Sequence, residues 1–221
     1  MDDFEKSWRD KINSQKEVCE SRRLIDLLAD ESQSELEFTK NLIELLKEEF
    51  GTEQSIDILL GAACHYPHSE LAEIRKEYAG IGKLEAAHEM LQRKFDTFIE
   101  SLLLEQKDII AEIKKRHWGL AGRLEGNRIF AAKIPKSGYL KEYFQETDPE
   151  KRRLLYCHCP RIRQYHDRSE IDALYCYCGG GFYQDIWEYI TGKEVKVKLL
   201  KSIIKGDDHC LFELLITEND I

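Results

Sequence analysis

Nowhere does this chain approach the ~20 consecutive apolar residues that a membrane-crossing helix needs. Its start, Met1-Asp2-Asp3-Phe4-Glu5, is acidic and has no apolar signal region, so a cytosolic protein is expected. Positive charge is in the minority: 33 Lys and Arg stand against 42 Asp and Glu, a net charge of −9. That balance argues against a general nucleic-acid binder, whose affinity would come from neutralising phosphates. There is no fixed-period repeat, no low-complexity tract, and no helix-turn-helix or ATPase segment. The one glycine run, Gly179-Gly180-Gly181, lacks the Gly-Lys-Ser/Thr that would make it a nucleotide P-loop. What remains, at 42% hydrophobic and 34% charged over 221 residues, is a soluble chain long enough for a real core.

Cysteine is abundant and unevenly placed. Four of the seven fall between residues 157 and 178, as Cys157-His158-Cys159 and Cys176-Tyr177-Cys178. A reducing compartment and an odd count disfavour a disulfide framework and leave metal ligation, a reactive thiol or small buried core residues. As one site, Cys157, Cys159, Cys176 and Cys178 could supply four sulfurs to a tetrahedral zinc. As reactive thiols, the second pair precedes a probable helix, whose N-terminal dipole favours thiolate. His158 and His166 could substitute as ligands, while Cys210 alternates with Phe212 and Leu214 and is expected to face the core. Around the first pair six basic residues (Lys151, Arg152, Arg153, Arg161, Arg163, Arg168) face two acidic ones. Arg161 and Arg163 are the candidates for gripping a carboxylate, for which the planar guanidinium is suited. The glycine run could cradle an anion or admit a second backbone at close range. Tyr183 and Trp187, among the aromatics that follow, are candidates for a pocket wall.

The fold class expected is α+β: a helical region over residues 1–118, then an α+β module over 119–221, the two able to share one core. Leu24, Leu27 and Leu28, then Phe38, Leu42, Leu45 and Leu46, give two amphipathic helices, the second ended by Gly51. A further apolar helix runs from Thr52 to His65, and Ser69 caps another that reaches Tyr78. Leu84, His88, Leu91, Phe95, Phe98, Leu102, Ile109 and Ile113 form one stripe on a helix from Lys83 to Lys115. His65 and His68 make an H-x-x-H with no nearby carboxylate pattern. In the back half, Ile129–Ile134 and Arg153–Cys159 read as strands, and Gly138–Gln145 and Gly181–Ile190 as helices. Val195, Val197 and Leu199, then Cys210, Phe212, Leu214 and Ile216, alternate as an antiparallel hairpin with one buried face.

The stretch from Gly181 to Glu188, Gly192-Lys193-Glu194-Val195 and Gly206-Asp207-Asp208-His209-Cys210-Leu211-Phe212 resembles the 4-vinyl reductase domain. The same ending with a cysteine pair upstream also looks like the L-2-amino-thiazoline-4-carboxylate hydrolase family, and the two cysteine motifs together like an uncharacterised bacterial branch near both. The resemblance covers about residues 150–217. It implies a small-molecule-binding module related to the heme nitric-oxide-binding fold, some members of which carry a cysteine-bound zinc. Ser202 stands where zinc-binding relatives often place a cysteine. Gly179 follows Cys178 where the hydrolase-like sequences carry an acidic residue. The leading expectation is a cytosolic sensor or carrier of a small molecule. Its alternatives are a hydrolase of a cyclic thioimidate or amide using a cysteine thiolate, and an interaction protein docking or dimerising through its helical half.

Overall fold

The computed structural model describes residues 3–104, 106–163 and 170–217. The helical half holds α1 (Asp3–Asn13), α2 (Lys16–Cys19), α3 (Arg22–Ala29), α4 (Glu35–Gly61), α5 (Ala72–Ile81), α6 (Leu84–Leu103) and α7 (Lys107–Lys115). The α+β half follows as β1 (Arg123–Glu125), β2 (Arg128–Ala131), α8 (Leu140–Gln145), α9 (Pro149–Tyr156), α10 (Pro160–Arg163), α11 (Tyr177–Thr191), β3 (Val195–Lys201) and β4 (Leu211–Ile216). None of the described helices is long and apolar enough to cross a membrane.

The four strands make one antiparallel sheet in the order β1-β2-β4-β3. Its centre is the expected hairpin, in which Val197 faces Leu214 and Leu199 faces Phe212. The connection explains the Gly-Asp signature. A 3-10 turn over Ile203–Lys205 ends at Gly206, whose φ of 86° suits a residue without a Cβ. The Asp207 carboxylate then accepts the Ser202 backbone N–H at 2.8 Å. The Ser202 N–H thereby finds an acceptor within the connection itself.

Helix α11 packs on the inner sheet face. Ile186, Trp187 and Ile190 join Val195, Phe212, Leu214 and Ile216 in a cluster in which every member is at most 4% exposed. A second buried cluster takes Trp8, Ile12, Phe38 and Leu42 from the helical half and Tyr143, Tyr156, Ile162 and Tyr175 from the other. The glycine run lies within α11. A methyl on Gly181 would stand 2.0 Å from the Leu60 carbonyl oxygen of α4, and one on Gly180 2.9 Å from Val197 of β3. Close approach of a second backbone therefore accounts for Gly181, and close side chains of the sheet for Gly180.

Other expectations change too. Gly51, at φ 73°, kinks α4 rather than ending it. The long helix breaks at Leu104, and its inner stripe is Ala87, Leu91, Phe95, Ile99 and Leu103. Phe98 and Leu102 lie outside that stripe, exposed. Residues 153–156 are helical: Asp148 accepts the Glu150 and Lys151 N–H groups and Pro149 occupies the first turn, a start signal that outweighs local strand propensity. Helix α11 begins at Tyr177, four residues earlier than expected.

Candidate functional site

Between the two halves lies a cavity of about 570 Å³. Its wall is assembled from distant segments: Trp8 of α1, Cys64 and Tyr66 after α4, Phe95 and Phe98 of α6, the 133–136 segment after β2, the 156–159 turn, the start of α11, and Cys210 and Phe212. Cys64 and Phe98 are both exposed and mark its mouth. Six of the seven cysteines line it.

The four predicted sulfurs thus share a cavity, each with its own partner. Cys178 Sγ accepts a hydrogen bond from Trp8 Nε1 at 3.3 Å. Cys159 Sγ shares one with the Tyr175 hydroxyl at 3.2 Å. Cys157 Sγ lies 3.9 Å from the Cys159 carbonyl oxygen. Cys176 Sγ accepts from Ser202 Oγ at 3.1 Å. Among the described residues no three His, Cys, Asp or Glu side chains are arranged to hold a metal ion. The sulfurs as placed fit separate hydrogen bonds rather than a shared zinc. Nor does the helix N-terminus make thiolates of the second pair. Burial pushes Cys178 up to about 11. Cys176 is raised too, first by the neighbouring Cys210 and then by burial. Desolvation of the charged form outweighs a half-charge dipole here. Cys210 is lowered, chiefly by Cys176.

The cavity's electrostatics are one-sided. Among the described residues its wall contains Lys133, Lys136 and His158 and no Asp or Glu. His158 Nε2 donates to the Ile134 carbonyl at 2.7 Å, and burial, aided by Lys133, lowers the imidazole to about 4. It is therefore neutral at pH 7. Lys133 is the exceptional group. Its Nζ sits 4.3 Å from the centroid of the Phe182 ring and, among the described residues, has no hydrogen-bond or carboxylate partner. Burial lowers its pKa, partly offset by the surrounding thiols Cys178, Cys64, Cys210 and Cys157. Lys133 is half-buried, and its side chain borders the cavity.

Of the other candidates, Tyr183 lines the cavity, its hydroxyl bonded to Gly119 O at 2.9 Å. Trp187 does not: it is wholly buried against the sheet. Arg163 lies over Tyr139, its carbon 5.1 Å from the ring centroid, and it too is absent from the cavity wall. The Arg161 side chain and His166 fall outside the described residues. Sequence reasoning missed Lys133, although Lys133 continues the odd-numbered face of Ile129 and Ala131, both buried. Cys210 packs against both buried clusters, as expected, and lines the cavity as well. The H-x-x-H does gain a carboxylate: Asp185 of α11 sits 2.9 Å from His65 Nδ1 and 3.1 Å from His68 Nε2, fastening the α4–α5 connection to α11.

Residues 140–221 are similar to a family of unknown function, DUF6144. That match covers the cysteine pairs, α11 and the hairpin, but neither Lys133 nor the helical contributors to the cavity. No curated protein and no solved structure matches the chain.

Proposed function

We propose that the protein binds a small, largely aromatic or apolar molecule bearing one anionic group, held in the cavity with its charge on Lys133. The observation that carries this reading is an ammonium without a counter-ion inside an aromatic-walled space of about 570 Å³, a volume ordinary for small-molecule sites. An entering carboxylate or sulfonate would supply the missing partner, and Lys136 adds positive potential on the same wall. Ring faces such as Phe182 and Phe95 supply the burial. The hydrolase alternative asks for a base beside a thiol, whereas His158 Nε2 is committed to Ile134 O. A sensor or carrier needs only the cavity.

Two fluorescent probes with similar rings test the charge. Anilinonaphthalene sulfonate carries an anion, and N-phenylnaphthylamine does not. Wild-type protein should bind both. Lys133→Met keeps the side-chain length and should weaken the sulfonate at least about tenfold, the low end for hydrogen bonds to charged groups, while leaving the neutral dye within about twofold. Sulfonate affinity should also fall with rising pH as Lys133 discharges. Equal loss of both dyes, or of neither, overturns the assignment.

A further inference from the structure

We infer that Lys133 is a covalent capture residue, whose amine condenses with an aromatic aldehyde held in the cavity to form a reversible imine. The inference rests on the reading of the cavity as an aromatic-ligand site, and not on the anionic group proposed for that ligand. Lys133 lies just beyond β2, and the backbone around it is pinned at three successive carbonyls. Ala132 O accepts the Gly119 N–H at 2.8 Å, Lys133 O accepts the Tyr156 hydroxyl at 3.0 Å, and Ile134 O accepts His158 Nε2 at 2.7 Å. The three donors come from the segment before β1, the end of α9 and the turn that follows it. The side chain thus starts from a fixed point, which is what a positioned nucleophile needs.

From that anchor the side chain borders the cavity and sets Nζ 4.3 Å from the centroid of the Phe182 ring. Lysines elsewhere on the molecule are held differently. Lys40, Lys47, Lys94 and Lys114 donate to Glu170, Asp172, Glu70 and Glu100, and these bonds raise them. Among the described residues no carboxylate holds the Lys133 proton, and burial lowers its pKa. A lysine in this state is more often the neutral amine, whose lone pair attacks carbonyl carbon. Of the thiols on the same wall, Cys178 is pushed up to about 11 by burial and stays protonated at pH 7. The rings of Tyr66, Phe95, Tyr175 and Phe182 suit an aromatic aldehyde, and a space lined this way shelters the imine from hydrolysis.

The chemistry balances without an oxidant or reductant. The Lys133 nitrogen attacks the aldehyde carbon, a C–N bond forms, and the carbonyl oxygen takes up a proton as nitrogen loses one, giving a carbinolamine. Its C–O bond then breaks, the hydroxyl leaves with a proton as water, and the nitrogen lone pair closes the C=N bond. One amine and one aldehyde become one imine and one water. Readmission of water through the mouth at Cys64 and Phe98 reverses both steps and releases the aldehyde unchanged.

The test gives the full-length protein naphthaldehyde and sodium cyanoborohydride, which adds hydride to an imine carbon and leaves a stable secondary amine. A thiol adding to the same aldehyde gives a hemithioacetal, which has no C=N bond and is not fixed. Peptide mapping by mass spectrometry then reads the labelling rate at each lysine. At pH 7 Lys133 should label at least about tenfold faster than Lys40, Lys47, Lys94 and Lys114, the gain in amine fraction when a pKa falls by one. Its rate should level off at a lower pH than theirs, and excess N-phenylnaphthylamine should slow Lys133 alone. Labelling no faster at Lys133 than at those four overturns the inference. So does naphthaldehyde that displaces the neutral dye yet leaves Lys133 unmodified, in which case ligand binding stands and the imine falls. Fast labelling of Lys133 in a protein that fails to prefer the sulfonate dye keeps the imine and removes the anion-binding reading. All of this is read on wild-type protein, so no variant has to fold.

Discussion

Helix α11 has two neighbourhoods. Its sheet-facing side is packed solid, with Ile186, Trp187 and Ile190 closed against Val195, Leu214 and Ile216. Its first turns, Cys178, Gly179, Phe182 and Tyr183, border about 570 Å³ of unfilled space. The same helix thus serves both as a core element and as a wall. Protein interiors are normally filled to crystal-like density, so a space of this size is kept open by surrounding architecture rather than by accident of packing. On the packed side each residue's role follows from its neighbours on one sheet face. On the open side the role of a residue depends on segments as far apart as Trp8 and Phe212.

The strongest way to break the comparison is to damage the packed side. Leu214 is wholly buried in the central pair of the sheet, between Ile129 and Val197 in register. Leu214→Asp would bury a carboxylate with no partner and should cost about 4 kcal/mol or more, enough to unfold a marginal domain. Chemical denaturation measures this, and a variant that unfolds at the wild-type midpoint would remove Leu214 from the core. Trp187→Ala should cost about 3–5 kcal/mol by the same reasoning. At a denaturant-free temperature where it stays folded, its dye binding should match wild type, because Trp187 touches the sheet and not the cavity.

The hairpin and α11 were legible because a period of two and a buried face leave a direct trace in residues 195–216. The cavity was legible only in part. The clustering of Cys157, Cys159, Cys176 and Cys178 in the sequence corresponds to one cavity, whose wall all four line. Whether those sulfurs converge on one ion is not written in their spacing. Residues 153–159 looked extended on their apolar content, yet Asp148-Pro149 starts a helix that turns the first pair into a loop. Trp8, Tyr66, Phe95 and Lys133 could not be read as neighbours at all, because only the tertiary fold brings them within one wall. Trp187 was misplaced for the opposite reason: an aromatic at helical spacing satisfies a core as readily as a pocket.

A second measurement separates the two neighbourhoods by pH. His158 has an imidazole lowered from 6.5 to about 4, mainly by burial. A base with a depressed pKa in the folded state binds fewer protons there than in the unfolded chain. Its stability contribution is therefore complete above pH 6.5 and lost as pH falls from 6.5 towards 4, by up to about 3 kcal/mol. His158→Gln, which keeps a donor for Ile134 O, should flatten that acid slope. An unchanged slope in the variant would assign acid sensitivity to other groups.

The glycines give a finer contrast, because neighbouring positions on one helix face different surroundings. Gly181→Ala forces a methyl against the Leu60 carbonyl, which is backbone and cannot swing aside. It should destabilise by about 3 kcal/mol, at the upper end for overpacking. In Gly179→Ala the nearest atom, 3.2 Å away, is the far edge of the Phe212 ring beside open cavity. That ring can shift into the space, and the gain in helix propensity of about 1 kcal/mol offsets the crowding, so the net change should be near zero. Equal costs at the two sites would mean that the cavity side is as rigid as the α4 contact.

A single hydroxyl tests the residue that belongs to both neighbourhoods. Tyr183 packs its ring against Phe182 and Phe212, and its hydroxyl donates to Gly119 O at 2.9 Å from within the cavity wall. Gly119 is itself held at φ 133° against the Phe95 ring, so this bond ties α11 to the segment that enters the sheet from the helical half. Tyr183→Phe removes the hydroxyl and leaves the ring. If the bond matters only as one buried hydrogen bond, stability should drop by about 1 kcal/mol and neither dye should notice. If instead the bond holds the cavity open, the midpoint should move little while the neutral dye loses affinity, since ring contacts with Phe95 and Phe182 would loosen together. The geometry favours the first outcome: the donor is wholly buried and the acceptor is backbone, anchored on its other side by the Gly119 N–H bond to Ala132 O at 2.8 Å.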